Sequence, residues 1–312
     1  MQEIELKFQV PATRRAGVQA RLDTLRAEPV RLAARYFDTA GRHLAQAGFA
    51  LRLRLEGNVW VQTLKGRLAG AAGLIERLEH NAPLPDPAEA LPALDLQHHQ
   101  GTPAGQALLA LLASAGVGPA DLQLQYDTDI TRLQKRVRHG AAEIELAFDL
   151  GAIRCGARTL PVCELELELI DGLRADLIDA ARAWVREHAL WLDVRSKAER
   201  GDRLARGLDT GRATPAHALP ARVPLAELLG AALAQILPNL ADVAGETAAP
   251  EQLPALRQGL AGLHGALTDR VDVPRDVWQA VAALLITVRT AQALRDPPAQ
   301  AAVLTLLGAS LG

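Results

Sequence analysis

A chain of 312 residues, 49% hydrophobic and 22% charged, has material for one large core or two ordinary ones, and two domains are expected. Its net charge of −2 removes the broad basic surplus on which nucleic-acid binding rests, so any anion site has to be local. No apolar stretch is long enough to span a membrane, since even Ala280 to Leu294 is interrupted by Arg289. The segment from Glu3 is charged and alternating, without the features of a signal peptide, so the expectation is a cytoplasmic protein without membrane or nucleic-acid partners.

Taken in chain order, the first two thirds are dominated by a period of two. Glu3-Ile4-Glu5-Leu6-Lys7-Phe8 alternates charge with apolar bulk, and a helical spacing follows over 14–27. Leu51-Arg52-Leu53-Arg54-Leu55 alternates again, and 103–115 is helical. Glu143-Ile144-Glu145-Leu146 and Glu164-Leu165-Glu166-Leu167-Glu168-Leu169 are further alternating strands. Over 173–189, Leu173, Leu177, Ile178, Ala181 and Val185 share one helical face. Cys155 and Cys163 sit like two sides of a hairpin, and both are expected as free thiols. The reading is α+β over residues 1–206.

Residues 207–224 hold Gly207, Gly211, Pro215, Pro220 and Pro224 without either period, and read as a linker. From 225 to 312 only helical spacing is present. Pro238, Pro250 to Pro254, Pro274 and Pro297-Pro298 are expected to divide it into about four helices, a small all-α domain.

Residues two apart on a strand point the same way, so Glu3, Glu5 and Lys7 form one row. One such row is ordinarily a solvated face. Several strands that share a dense face of mixed sign instead suggest a closed antiparallel barrel with a polar lumen and an apolar outside covered by helices. Lysine occurs only at Lys7, Lys65, Lys135 and Lys197, against thirty arginines, so these positions are candidates for a compact ammonium. A lumen holding both carboxylates and cations suits a polyanion that arrives with a divalent metal: carboxylates take the metal, arginine and lysine take phosphate oxygens.

The motifs come in an ordered series. Glu3-Ile4-Glu5-Leu6-Lys7 resembles the Glu-x-Glu-x-Lys signature of CYTH proteins, the triphosphate tunnel metalloenzymes. Tyr36-Phe37-Asp38-Thr39, Leu51 to Arg54, Thr63-Leu64-Lys65-Gly66, Arg77-Leu78-Glu79, Asp129 to Arg132, Glu145 with Asp149, Glu164 to Leu169, and Ser196 to Gly201 continue the likeness over about residues 1–205. The resemblance implies an eight-stranded closed tunnel barrel with flanking helices. It implies an inorganic triphosphatase that cleaves triphosphate to pyrophosphate and phosphate with Mg²⁺ or Mn²⁺. Nucleotide or thiamine triphosphatases, adenylate cyclases and a non-catalytic triphosphate or polyphosphate binder remain the alternatives.

By the same resemblance Glu3, Glu5, Glu166, Glu168 and Asp149 hold metal. Lys7, Arg52, Arg54, Lys65, Arg77, Arg132 and Lys197 bind substrate, and Glu5, Lys65 and Glu145 are the catalytic candidates. Glu164 extends the acidic row, with a solvated place at the tunnel mouth as the alternative. Glu79 is an ion-pair partner for Arg77 or a ligand. The histidines, His80 and His98-His99 among them, read as surface or packing residues.

Pro254 to Leu267 is similar to the first helix pair of CHAD domains, helical modules that bind polyphosphate, in Arg257, Gly259, Leu260, Leu263, Ala266 and Leu267. Where that pattern carries its His and later basic residues, this chain has Pro254, Ala261, Gly262 and His264, so the polyanion surface is expected to be lost. The apolar helices, 278–294 especially, are then expected to bury against the N-terminal domain or against a second copy in a homo-oligomer.

Overall fold

The computed structural model describes residues 2–67, 75–87, 91–268 and 270–311, with side chains throughout except at positions 2, 3, 67, 75–78 and 85–87. Within these the elements are β1 (Gln2–Gln9), α1 (Arg15–Thr24), β2 (Glu28–Thr39), the short α2 (His43–Gln46), β3 (Ala50–Glu56), β4 (Val59–Arg67) and β5 (Ile75–Pro87). There follow α3 (Pro103–Ser114), β6 (Leu122–His139), β7 (Ala142–Cys155), β8 (Arg158–Asp171), α4 (Arg174–His188), β9 (Trp191–Leu192) and α5 (Lys197–Ala205). The C-terminal region is α6 (Leu225–Ala244), α7 (Gln252–Thr268), α8 (Arg275–Thr287), α9 (Ala291–Arg295) and α10 (Pro297–Ala309).

The sheet is antiparallel in the order β5-β4-β3-β2-β6-β7-β8-β1-β9, and β5 also pairs with β1. This corrects the expected eight-stranded closed barrel in two respects. Among the described residues there are nine strands, and one edge of β1 is shared: Gln2 to Glu5 pair with Leu78 to Ile75 of β5, while Phe8 and Gln9 pair with Leu192 and Trp191. The sheet is therefore not a barrel closed end to end: β5 meets β1 over four described residue pairs, and β9, at the other end of the order, pairs with Phe8 and Gln9 of the same strand.

Alternation decides which side faces in. Leu6, Phe8, Ile144, Leu146, Phe148, Leu165 and Leu167 of β1, β7 and β8 point outward into one core with α1, α4 and the C-terminal helices, each at most 1% exposed. Burying each is worth roughly 1.5–3 kcal/mol. A one-residue slip in register would turn this row inward and the charged row outward, so the apolar row fixes the register. Leu51 and Leu64 of β3 and β4 likewise face α3, whose first turn is capped by the Thr102 hydroxyl accepting from Gly105 N–H at 3.0 Å.

The inner face is divided in two. At one end Leu32, Ala34, Tyr36, Tyr126, Ile130, Ile153 and Val162 form an apolar cluster, against which α5 packs Ala198, Leu204 and Ala205. The rest of the inner face carries the charged residues, with Gln9, Ala147 and Gln134 among them.

Residues 207–224 carry no helix or strand, but they are strapped along α6: Thr214 N–H donates to Asn239 Oδ1 at 3.0 Å and His217 N–H to Gln235 Oε1 at 2.7 Å. The expected break at Pro238 is absent, since α6 runs through it. The helix survives because Leu233, Ile236, Leu237 and Leu240 on either side are buried in the shared core, and because Asn239 Nδ2 donates to the Gln235 carbonyl at 3.0 Å within that turn. The contact with the N-terminal sheet and helices is made through α10, which packs on α4, and through Asp242 of α6, which pairs with Arg203 of α5, rather than mainly through 278–294.

Candidate active site

The site is best described by cross-strand rungs on the inner face of β1, β8, β7 and β6. Register aligns Gln9, Glu164, Asp149 and Arg132 in one rung, Lys7, Glu166, Ala147 and Gln134 in the next, and Glu5, Glu168, Glu145 and Arg136 in the third. Successive rungs are roughly 6.5–7 Å apart along the strands.

The first two rungs and α5 form a compact ionic cluster. Arg132 is bidentate on Asp149, at 2.6 and 2.7 Å, and reaches Glu166 Oε2 at 2.5 Å. The Lys197 ammonium lies 2.6 Å from Asp149 Oδ2, 2.8 Å from Glu166 Oε1 and against Glu164. Arg200 donates to Glu164 as well, and Lys7 stands 3.9 Å from it. Ser196 caps α5 by accepting from Glu199 N–H at 3.0 Å, and the i, i+3 spacing turns Lys197 and Arg200 to the same side.

Asp149 and Glu164 are fully buried, and one oxygen from each of Asp149, Glu164 and Glu166 lies within 4.8 Å of the others. Burial opposes ionisation of Glu166, but Lys197 and Arg132 overcome it and hold its carboxyl far below the usual range. Burial would likewise lower Arg132 and Lys197, and the carboxylates raise both. Three hard-oxygen ligands with this spacing, two of them buried, could together hold a divalent cation.

The opposite wall is basic. Arg52 Nη1 donates to the Tyr36 hydroxyl at 3.0 Å, and Arg54 pairs with Glu56 through Nε at 2.7 Å. Burial lowers Arg54, and the neighbouring charges of Arg52 and Arg132 add to the effect. Lys65 pairs with Glu79 Oε2 at 2.7 Å, and Asn81 Nδ2 holds the other oxygen of Glu79 at 2.8 Å. Glu5 is 8% exposed on this inner face.

Glu5, Lys7, Arg52, Arg54, Lys65, Arg132, Asp149, Glu166, Glu168 and Lys197 thus line one inner surface. Lys7, Arg132, Asp149, Glu166 and Lys197 form its tight centre. Glu145 stands outside that centre, beside Glu168 in register, with Arg136 Nε 3.3 Å from it. The side chains of Glu3 and Arg77 lie outside the described residues; their backbones pair with each other. Glu164 is not at a solvated mouth: it is buried beneath Lys197 and Arg200, because α5 closes over that rung. Sequence reasoning passed over Gln9, Asp193, Arg195 and Arg200. Only Arg200 carried a signal, its spacing from Lys197.

A family model described as CYTH domain matches residues 1–201. The chain belongs to the CYTH family. An inorganic triphosphatase of Haemophilus influenzae is 30% identical over 206 residues, which cover 64% of this chain and 54% of that protein, so the CYTH chain spans about half the length of that relative. Among solved structures, a putative adenylate cyclase from Bacillus halodurans is similar at 16% identity and a TM-score of 0.43, over 64% of this chain and 96% of its own. A putative adenylyl cyclase from Hippeastrum, described as having a dominant triphosphatase activity, is similar at 16% identity and a TM-score of 0.45, over 66% of this chain and 96% of its own. Among the described residues no helix is long and apolar enough to cross a membrane.

Proposed function

We propose that this CYTH protein hydrolyses inorganic triphosphate to pyrophosphate and phosphate with Mg²⁺ or Mn²⁺. The observation that carries the reading is the trio Asp149, Glu164 and Glu166, the first two buried, in contact with Arg132 and Lys197, metal-type ligands and phosphate-type ligands in one cluster. Family membership and the triphosphatase relative support it.

Asp149, Glu164, Glu166, Glu5 and Glu168, with Glu3, are the residues that would hold metal. The bound ion supplies charge neutralisation and lowers the pKa of a coordinated water. Arg132, Lys197 and Lys7 take phosphate oxygens on one side, and Arg52, Arg54 and Lys65, with Arg77, take them on the other. These fixed donors orient the chain of phosphates and stabilise charge that moves to the leaving pyrophosphate. A carboxylate of the Glu5, Glu145 and Glu168 rung accepts the proton of the attacking water. The C-terminal helices, stripped of the CHAD-like cations, serve as packing partners of the tunnel rather than as a polyphosphate surface.

The test is phosphate release from triphosphate, ATP and thiamine triphosphate with Mg²⁺, with Mn²⁺ and without divalent metal. Triphosphate is expected to be fastest and metal obligatory. Glu166→Gln and Lys65→Ala are each expected to lower kcat at least ~10²-fold. A faster rate with ATP, or unchanged rates in both variants, overturns the assignment.

A further inference from the structure

The tunnel cluster does not end at the tunnel wall. Gln9 Nε2 donates to Glu164 Oε2 at 3.3 Å and to Asp193 Oδ2 at 2.8 Å. Asp193 accepts both Nε and Nη2 of Arg195, each at 2.8 Å. The remaining arm of that guanidinium, Nη1, crosses to the C-terminal helices, donating to Asp242 Oδ1 of α6 at 3.0 Å and to the Thr247 hydroxyl at 2.5 Å. The backbone carbonyl of Arg195 meanwhile accepts from the Lys7 ammonium at 2.5 Å, and Asp193 N–H donates to the Lys7 carbonyl at 2.8 Å. Lys7, Glu164, Asp193, Arg195 and Asp242 are all at most 6% exposed.

We propose that Asp242 is a positioning residue of the tunnel: by fixing Arg195 from the far side, it fixes the Asp193 carboxylate and the residue 195 carbonyl that hold Gln9, Glu164 and the Lys7 ammonium in place. The guanidinium is clamped at both ends of its planar fork, so it can neither pivot nor slide. Asp242 is itself held rigid, accepting from Arg203 Nη2 at 3.1 Å, from Gln252 Nε2 at 2.7 Å and from the Thr247 hydroxyl at 3.0 Å. Burial works against the Asp242 carboxylate, and Arg203, Gln252 and Arg195 more than offset it, so it stays ionised. Removing its charge leaves Arg195 balanced on Asp193 alone. The guanidinium then turns on that carboxylate, and both the Lys7 acceptor and the Gln9 donor shift. The α6 helix thereby acts on the site without touching substrate.

That the affected ligand is triphosphate rests on the function proposed above, and the experiment separates the two. Because the chain has only four lysines, the protein labelled with ¹⁵Nζ-lysine gives a spectrum in which Lys7 can be assigned by Lys7→Arg. In Asp242→Asn the Lys7 ammonium signal is expected to move or to vanish through exchange, while Lys65 and Lys135 stay put. The KM for triphosphate is expected to rise about tenfold with kcat within about twofold, the pattern of lost positioning for binding. Thr247→Val, at a half-buried position, should show the same changes to a smaller degree, and Thr247→Ser should restore both. If Asp242→Asn does not fold, Thr247→Val against Thr247→Ser decides. An unmoved Lys7 signal in the folded variants overturns the proposal, as does an unchanged KM in a chain that splits triphosphate. If the wild-type chain does not bind or split triphosphate, the functional reading fails, while the Lys7 signal still decides the linkage.

Discussion

His99 sits in a single 3₁₀ turn, Leu96–His99, 1% exposed, with its Nδ1 2.9 Å from Nδ1 of His80 on β5. Two ring nitrogens at that distance share one proton, since both cannot donate. Burial, then the charges of His80 and His98, push His99 down to about 4. The unfolded chain therefore takes up this proton first as pH falls. Stability from the neutral ring is complete above about 6.5 and is lost as pH drops toward the folded value near 4. One such group contributes a slope of at most about 1.4 kcal/mol per pH unit. Urea unfolding of the wild-type chain should weaken between pH 6.5 and 4 more steeply than that of His99→Leu. Parallel curves would mean that the pair does not carry the dependence.

At the scale of elements, α5 is both a plug and a carrier of charge. Its Gly201 faces Tyr126, and a Cβ there would lie 2.2 Å from Cε2 and 2.4 Å from Cδ2 of the ring. The ring has nowhere to go: it stacks on Tyr36 at 4.7 Å, and its hydroxyl donates to the Ala198 carbonyl at 3.0 Å. Gly201→Ala must push α5 outward, at a cost of about 1–3 kcal/mol for overpacking. Lys197 and Arg200 move with the helix, so a lower thermal midpoint should come with weaker triphosphate binding. A lower midpoint with binding intact would show that α5 is a plug alone. How much of this was legible in the sequence follows from what leaves a periodic trace. Glu164 to Leu169 alternates without interruption because one face meets helices and the other meets charge, so both its strand and its importance could be read. Trp191-Leu192 is too short to show any period, so the ninth strand and the shared edge of β1 could not. Pro238 was misread because local propensity is overridden by packing on both sides of it. Asp193, Arg195 and Asp242 escaped notice for a different reason: Asp242 lies 47 residues from Arg195 and Asp193 lies 184 from Gln9, and no local pattern announces a bond between elements.

On the scale of the whole molecule, the sequence divides at a linker while the apolar core does not. Leu6, Phe8, Leu167 and Ile178 of the N-terminal part belong to the same buried cluster as Leu229, Leu233, Leu304 and Leu307 of the C-terminal helices. A core shared in this way makes the stability of each part depend on the other. Gln300 of α10 marks the joint. Fully buried, it accepts from Leu192 N–H of β9 at 2.8 Å and donates to the Leu294 carbonyl at 2.6 Å. Gln300→Leu keeps the volume and removes both bonds, leaving a buried donor and a buried acceptor unpaired, at about 1–3 kcal/mol each. In a protein of this size each kcal/mol lowers Tm by roughly 2–4 °C. Calorimetry of the wild-type chain should therefore give one transition, and Gln300→Leu should lower that whole transition. Fluorescence of Trp191, in the strand that loses its acceptor, should follow the same midpoint. Two separate transitions, with only one displaced by the substitution, would mean that tunnel and helices unfold independently and that the buried cluster does not couple them.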